Sequence, residues 1–208
     1  MPSRAAVVQN AGQTCSAGSR LLIEDSVYDE VTARVAEVFR GLCIGPAITN
    51  PDVGPLINET QCDRVMGYLV AAGDLPVLVQ APLPLDLPEG GFYVPPTMIG
   101  EVPQERPLAT EEIFGPVLAC IRFRDEVHAV EVANGTRYGL VAGVWTRDGA
   151  RQRRLARALR AGQVFINNYG AGGGVERPFG GVGGSGHGRE KGFEALYGYS
   201  AIRHGDMQ

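Results

Sequence analysis

No stretch of the 208 residues approaches the roughly 18 consecutive apolar residues that a membrane-spanning helix needs. The first residues, Met1-Pro-Ser-Arg4, lack the apolar centre of a secretory signal. A chain neither exported by that route nor embedded in a bilayer is expected. Positive charge is not in excess either: 19 Lys and Arg against 23 Asp and Glu give a formal net charge of -4. Neither nucleic acid nor an anionic membrane is therefore an expected partner. The four cysteines, Cys15, Cys43, Cys62 and Cys120, never form a CxxC pair. That argues against a zinc cluster or a disulfide framework, leaves no metal site to expect, and fits a reducing cytoplasm.

With 44% hydrophobic residues the chain is long enough for one well-buried core, or for one large and one small lobe. Arg20 to Glu24 reads as a short buried strand, and Asp25-Ser26 as a cap for the helix that follows. Val27, Val31, Val35, Val38, Phe39 and Leu42 share one face of that helix. Asn58 and Gln61 have capping-box spacing ahead of a second helix, whose apolar face carries Val65, Met66, Leu69 and Val70. Val77 to Gln80 reads as a strand. The proline-rich run from Ala81 to Pro96 reads as an extended, packed excursion, with Phe92-Tyr-Val94 pairing briefly. Val117 to Phe123, Leu140 to Trp145 and Gln163 to Ile166 are further strands. They alternate with helices from Asp125 to about Asn134 and from about Gly149 to Leu159. Near-continuous apolar strands alternating with helices predict an α/β fold with a mostly parallel sheet covered by helices.

The arginines Arg147, Arg151, Arg153, Arg154, Arg157 and Arg160 around the last helix read as a solvated face on an acidic protein, with Leu155 and Leu159 anchoring the opposite side. From Asn167 to Gly192 glycine dominates. Tyr169, Arg177, Pro178, Phe179, His187, Arg189 and Glu190 make this segment an ordered loop rather than a linker. Its partial matches to GxGxxG lack the flanking strand and helix of a dinucleotide fingerprint. Leu196 to Arg203 has strand character and reads as a pairing edge for another chain.

The stretch Asn10-Ala-Gly-Gln-Thr-Cys15-Ser-Ala-Gly-Ser-Arg20 surrounds one thiol with small or polar residues, leaving the backbone free to bend around the sulfur. From the residues alone, Cys15 is either a buried core cysteine or a nucleophile. Glu112 is either a helix-start carboxylate behind Thr110 or a ligand-binding acid. Phe114 and Phe179 are either core aromatics or binding-site walls. His128 and His187 read as surface or hydrogen-bonded histidines without a catalytic role.

Three segments decide among these readings: Asn10-Ala-Gly-Gln-Thr-Cys15, Glu111-Glu-Ile-Phe-Gly-Pro116, and Pro178-Phe-Gly-Gly181 followed by Ser185-Gly-His-Gly-Arg-Glu190. In this order and spacing they resemble the aldehyde dehydrogenase superfamily, and the chain from Val7 to about His204 resembles its C-terminal part. The resemblance implies that Cys15 attacks the aldehyde carbonyl to give a thiohemiacetal, that hydride loss to a nicotinamide leaves a thioester, and that water releases the acid. It implies the Cys15 N–H as an oxyanion donor, Glu112 on the nicotinamide ribose hydroxyls, Phe114 against the nicotinamide and Phe179 as a substrate wall. The loop from Asn168 to Arg177 would tune the choice of aldehyde. Residues 1–192 would be a catalytic domain and 193–208 an oligomerisation segment, in a homo-oligomer. Where the family usually carries a lysine after the paired glycines, this chain has Gly183.

In the family, the cofactor-binding domain, the oxyanion asparagine and the glutamate general base precede the cysteine segment, and only fourteen residues precede Cys15 here. The chain alone is therefore expected to bind NAD or NADP weakly and to need a cofactor-domain partner. The competing expectations are a noncatalytic fragment or assembly module that keeps the fold, and a cofactor-free thiol esterase using Cys15.

Overall fold

The computed structural model describes residues 5–169 and 174–205. The chain divides into two compact units, Met1–Thr136 and Arg137–Gln208.

In the first unit, α1 (Ala5–Val8) and a 3-10 turn (Gln9–Gly12) lead into β1 (Arg20–Glu24), followed by α2 (Tyr28–Arg40) and α3 (Glu59–Ala72). Strands β2 (Val77–Gln80) and β3 (Thr97–Ile99), the short helix α4 (Pro107–Thr110), β4 (Val117–Phe123) and α5 (Glu126–Asn134) complete it. The sheet order is β1-β4-β3-β2, with β4 parallel to both β1 and β3 and β2 antiparallel at one edge. The expected α/β fold with its mostly parallel sheet is thus present. Residues Val117 to Ile121 are buried without a break, which is why that strand reads as a continuous apolar run rather than an alternation. Helix α2 lies against β1 and β2, and α5 lies against β1 and β4. The core joins Val7, Val8 and Ala11 of the entry segment to Ile23, Phe39, Met98, Ile99, Ile113 and Cys120.

Three local expectations change. Asp25-Ser26 does not cap α2; Asp25–Val27 forms a 3-10 turn and Val27 occupies the cap position without a side-chain bond. The buried face of α2 is also shifted toward Tyr28, Thr32, Ala36 and Phe39, while Val27 is exposed and Val31 and Val35 are half-buried. The run from Ala81 to Pro96 carries no helix or strand, so the brief pairing expected of Phe92-Tyr-Val94 does not form there, and β3 begins just beyond it at Thr97. Pro95-Pro96 only precede it, and the Thr97 hydroxyl is satisfied by donating to the Pro95 carbonyl at 2.8 Å.

The second unit contains β5 (Val141–Val144), α6 (Gly149–Ala158) and β6 (Gln163–Ile166), with β5 and β6 parallel. Asp148 caps α6 by accepting from the Ala150 and Arg151 N–H groups at 2.8 and 3.0 Å. Leu155 is buried, and Arg153 and Arg157 are exposed, as a solvated arginine face requires. Asn167, with φ 51°, extends the β5–β6 pairing through its side chain, accepting from the Thr146 N–H and donating to the Thr146 carbonyl.

The C-terminal segment does not form the expected strand within the described residues. It makes the short helix α7 (Ala195–Gly198) and then continues without regular structure to Gly205. Its backbone closes local bonds instead, with Leu196, Tyr197 and Tyr199 N–H donating three residues back. A strand gains its bonds only from a neighbouring strand, and among the described residues none pairs with it.

Candidate active site

Cys15 follows three consecutive residues in left-handed conformations, Asn10 (φ 52°), Ala11 (φ 54°) and Gly12 (φ 75°). Asn10 stabilises the turn by donating its side-chain amide to the Gln13 carbonyl at 2.9 Å, and the Gln13 N–H returns a bond to the Asn10 carbonyl. Ala11 and Gly12 are buried, so the turn is anchored in the core while Cys15 is exposed. Among the described residues the Cys15 N–H has no hydrogen-bond acceptor. At the far end of the segment, Arg20 donates to the Val132 and Ala133 carbonyls at 3.1 and 2.9 Å and so ties it to the end of α5.

A methyl group at Gly12 would overlap the Gly115 carbonyl. The cysteine segment is therefore packed backbone to backbone against the loop carrying Glu112 and Phe114. Gly115 in turn leaves no room for a Cβ beside the Val65 side chain of α3. Phe114 is half-buried and takes φ 60°, an unusual conformation for an aromatic residue.

Glu112 is not at a helix start. Helix α4 ends at Thr110, whose hydroxyl donates back to the Arg106 carbonyl rather than capping a following helix. Glu112 lies beyond that end, exposed, and among the described residues its carboxylate has no hydrogen-bond or ion-pair partner. The adjacent Glu111 carboxylate is occupied, accepting from the Tyr68 hydroxyl at 2.7 Å. Of two neighbouring acids, only Glu112 has both carboxylate oxygens without a partner among the described residues.

Sequence reading gave α3 an apolar face and missed its polar one. The Asn58 side chain does cap α3, accepting from the Gln61 N–H at 2.9 Å. The Gln61 side chain, however, leaves the expected box and donates to the Ile113 and Phe114 carbonyls at 3.1 and 2.8 Å. Arg64 donates to the Glu112 carbonyl. The available signal was the spacing of Gln61, Arg64 and Tyr68 at i, i+3 and i+7, which puts them on one side of a helix.

The remaining cysteines differ from Cys15. Cys120 is fully buried in β4, and burial with the nearby Glu101 carboxylate pushes its thiol up to about 12. Cys62 is half-buried on α3, and burial, with Asp63 and Glu59, raises its thiol. Cys43 is exposed, like Cys15, but its N–H is bonded to the Asp52 carboxylate. His128 has a structural task. Its N–H donates to Asp125 at 2.9 Å while its Nδ1 accepts from the Arg124 N–H at 3.2 Å, a reciprocal cap on α5.

Phe179 belongs to the second unit. It is half-buried and paired with Glu190 by two backbone bonds of 2.7 Å, with the Lys191 ammonium 5.5 Å from its ring centre. This bridge closes the glycine-rich loop on itself, and Arg189 braces it by donating to the Gly181 and Gly188 carbonyls. Gly183 has φ 60°, and a Cβ there would sit 2.6 Å from the Arg137 carbonyl. Glycine at this position thus permits a tight backbone approach. Within the Asn168 to Arg177 segment expected to tune substrate choice, residues 170–173 lie outside the described residues.

The model of the aldehyde dehydrogenase family matches residues 3–204. The chain belongs to that family. Aldehyde dehydrogenase tropH of Talaromyces stipitatus is 36% identical over 209 residues, which cover 93% of this chain and 39% of the relative. A Burkholderia cenocepacia crystal structure described as a candidate aldehyde dehydrogenase superposes with a TM-score of 0.92 at 61% identity, over 97% of this chain and 44% of that one. The NAD+ complex of a Bacillus cereus aldehyde dehydrogenase gives a TM-score of 0.89 at 33% identity, over 96% and 40%. This aldehyde dehydrogenase family chain therefore spans about two-fifths of the length of the relatives it matches. Among the described residues, no helix is long and apolar enough to cross a membrane.

Proposed function

We propose that this chain is the catalytic portion of an NAD(P)-dependent aldehyde dehydrogenase that oxidises an aldehyde to a carboxylic acid through Cys15. The observation that carries the reading is the packing of Gly12 on Gly115, which fixes an exposed thiol's segment to the loop bearing a free carboxylate and a conformationally held aromatic. The Cys15 thiolate attacks the aldehyde carbonyl and forms a thiohemiacetal, whose oxyanion takes a hydrogen bond from the otherwise free Cys15 N–H. A bound nicotinamide supplies the hydride acceptor, with Glu112 on its ribose hydroxyls and Phe114 against its ring. Loss of hydride leaves a thioester on Cys15, which water hydrolyses to the acid and the free thiol. Phe179 contributes a wall of the aldehyde funnel.

Residues 1–192 form the catalytic domain in this reading, and 193–208 an oligomerisation segment in a homo-oligomer. The family relatives are more than twice as long, so turnover belongs to the chain together with a cofactor domain. Glu112 and Phe114 hold only one end of NAD or NADP, and the chain alone binds either weakly. Expression with the cofactor domain encoded upstream, or by a separate gene, tests the reading. NADH formation from an aldehyde is expected and should vanish in Cys15→Ala; turnover that survives the substitution would sink the assignment.

A further inference from the structure

The polar face of α3 contacts each residue from Glu111 to Phe114 in turn. Tyr68 donates its hydroxyl to the Glu111 carboxylate, Arg64 donates to the Glu112 carbonyl, and the Gln61 amide donates to the carbonyls of Ile113 and Phe114. The Arg64 guanidinium also lies 5.8 Å from the centre of the Tyr68 ring, which links two members of the set. Among the described residues, no main-chain N–H reaches the carbonyls of Glu112, Ile113 or Phe114. Side chains from α3 therefore do for this loop what a sheet or helix ladder does elsewhere. Phenylalanine at φ 60° relaxes to an ordinary conformation unless its surroundings fix it, and the shorter Gln61 bond falls on that residue.

We propose that Gln61, Arg64 and Tyr68 are positioning residues, a clasp that pre-sets Glu112 and Phe114 for a nicotinamide nucleotide. The clasp occupies the loop's carbonyls and the Glu111 carboxylate while leaving the Glu112 carboxylate open. The cofactor part of this proposal rests on the dehydrogenase reading above. Pre-setting a loop removes the ordering cost from the binding step, so the effect should appear in loop order and ligand response rather than in global stability.

Hydrogen–deuterium exchange of the amides from 112 to 117 in the full chain tests the clasp, with and without millimolar nicotinamide mononucleotide. Gln61→Leu should speed exchange in that segment about tenfold, as expected for the loss of two hydrogen bonds. Gln61→Arg, which restores N–H donors, should recover part of the protection. Thr32→Val removes a buried hydroxyl bond within α2, weakening the same unit without touching the clasp, and should leave the segment's exchange unchanged. Nicotinamide mononucleotide should slow exchange in the unaltered chain and not in Gln61→Leu. Equal exchange in Gln61→Leu and the unaltered chain, or an equal rise in Thr32→Val, overturns the clasp. A loop freed by Gln61→Leu but unaffected by the nucleotide in either protein overturns the cofactor role and the reading of Glu112 and Phe114 beneath it.

Discussion

Cys15 and Cys120 show how little residue type alone says about a thiol. One is exposed at the end of a left-handed turn, and the other lies in the central strand with its proton held by burial. Iodoacetamide should therefore label Cys15 and Cys43 in the folded chain and reach Cys120 only on unfolding, as peptide mass spectrometry would read. Labelling of Cys120 at the rate of Cys43 would contradict this. Gly12 is the residue on which the site's assembly depends. Gly12→Ala adds strain at φ 75° and an overlap with the Gly115 carbonyl, and should destabilise the first unit by about 2 kcal/mol or more, measured by denaturant unfolding. The small residues flanking Cys15 are visible in sequence, and so is the chance of a close approach. The left-handed turn at Asn10 and Ala11 is not, because nothing in an Asn-Ala pair requires φ above zero.

At the scale of elements, strands and helices whose signal is local were legible. The caps at Asn58 and Asp125 and the continuous apolar run of β4 follow from side chains adjacent in sequence. Strand β3 was not, because three residues behind two prolines carry too little pattern, and its place is set by the strands on either side. The C-terminal segment, whose strand-like composition reads as a pairing edge for another chain, forms α7 and irregular backbone among the described residues of this chain, because a strand's bonds come from a neighbouring strand. Helix α6 carries a pH prediction. The Asp148 carboxyl is held below its ordinary range, first by the Arg151 N–H and then by the Ala150 N–H and nearby arginines, against an opposing desolvation cost. A depressed folded-state value stabilises the second unit above the ordinary carboxylate range, and that contribution is lost as pH falls through the lowered value. The gap in thermal midpoint between the unaltered chain and Asp148→Ala should therefore narrow between about pH 6 and about pH 3; a constant gap would count against the cap.

For the whole molecule, family membership covers nearly all of this chain but only about two-fifths of its relatives' length. The exposed Phe193, Leu196, Tyr197, Tyr199 and Ile202 side chains of the C-terminal segment favour the oligomerisation role proposed for it. Deleting the residues after Tyr197 should lower the mass of the assembly, and an unchanged mass by light scattering would weigh against that role. The proposed chemistry itself needs only the thiol and an aldehyde for its first step, because thiohemiacetal formation involves no oxidant. The most direct measurement is the alkylation rate of Cys15, with and without a millimolar aldehyde, using Cys43 in the same sample as the internal control. The aldehyde should slow alkylation at Cys15 and leave Cys43 unchanged; equal rates with and without aldehyde at Cys15, or equal slowing at both cysteines, would contradict Cys15 as the nucleophile.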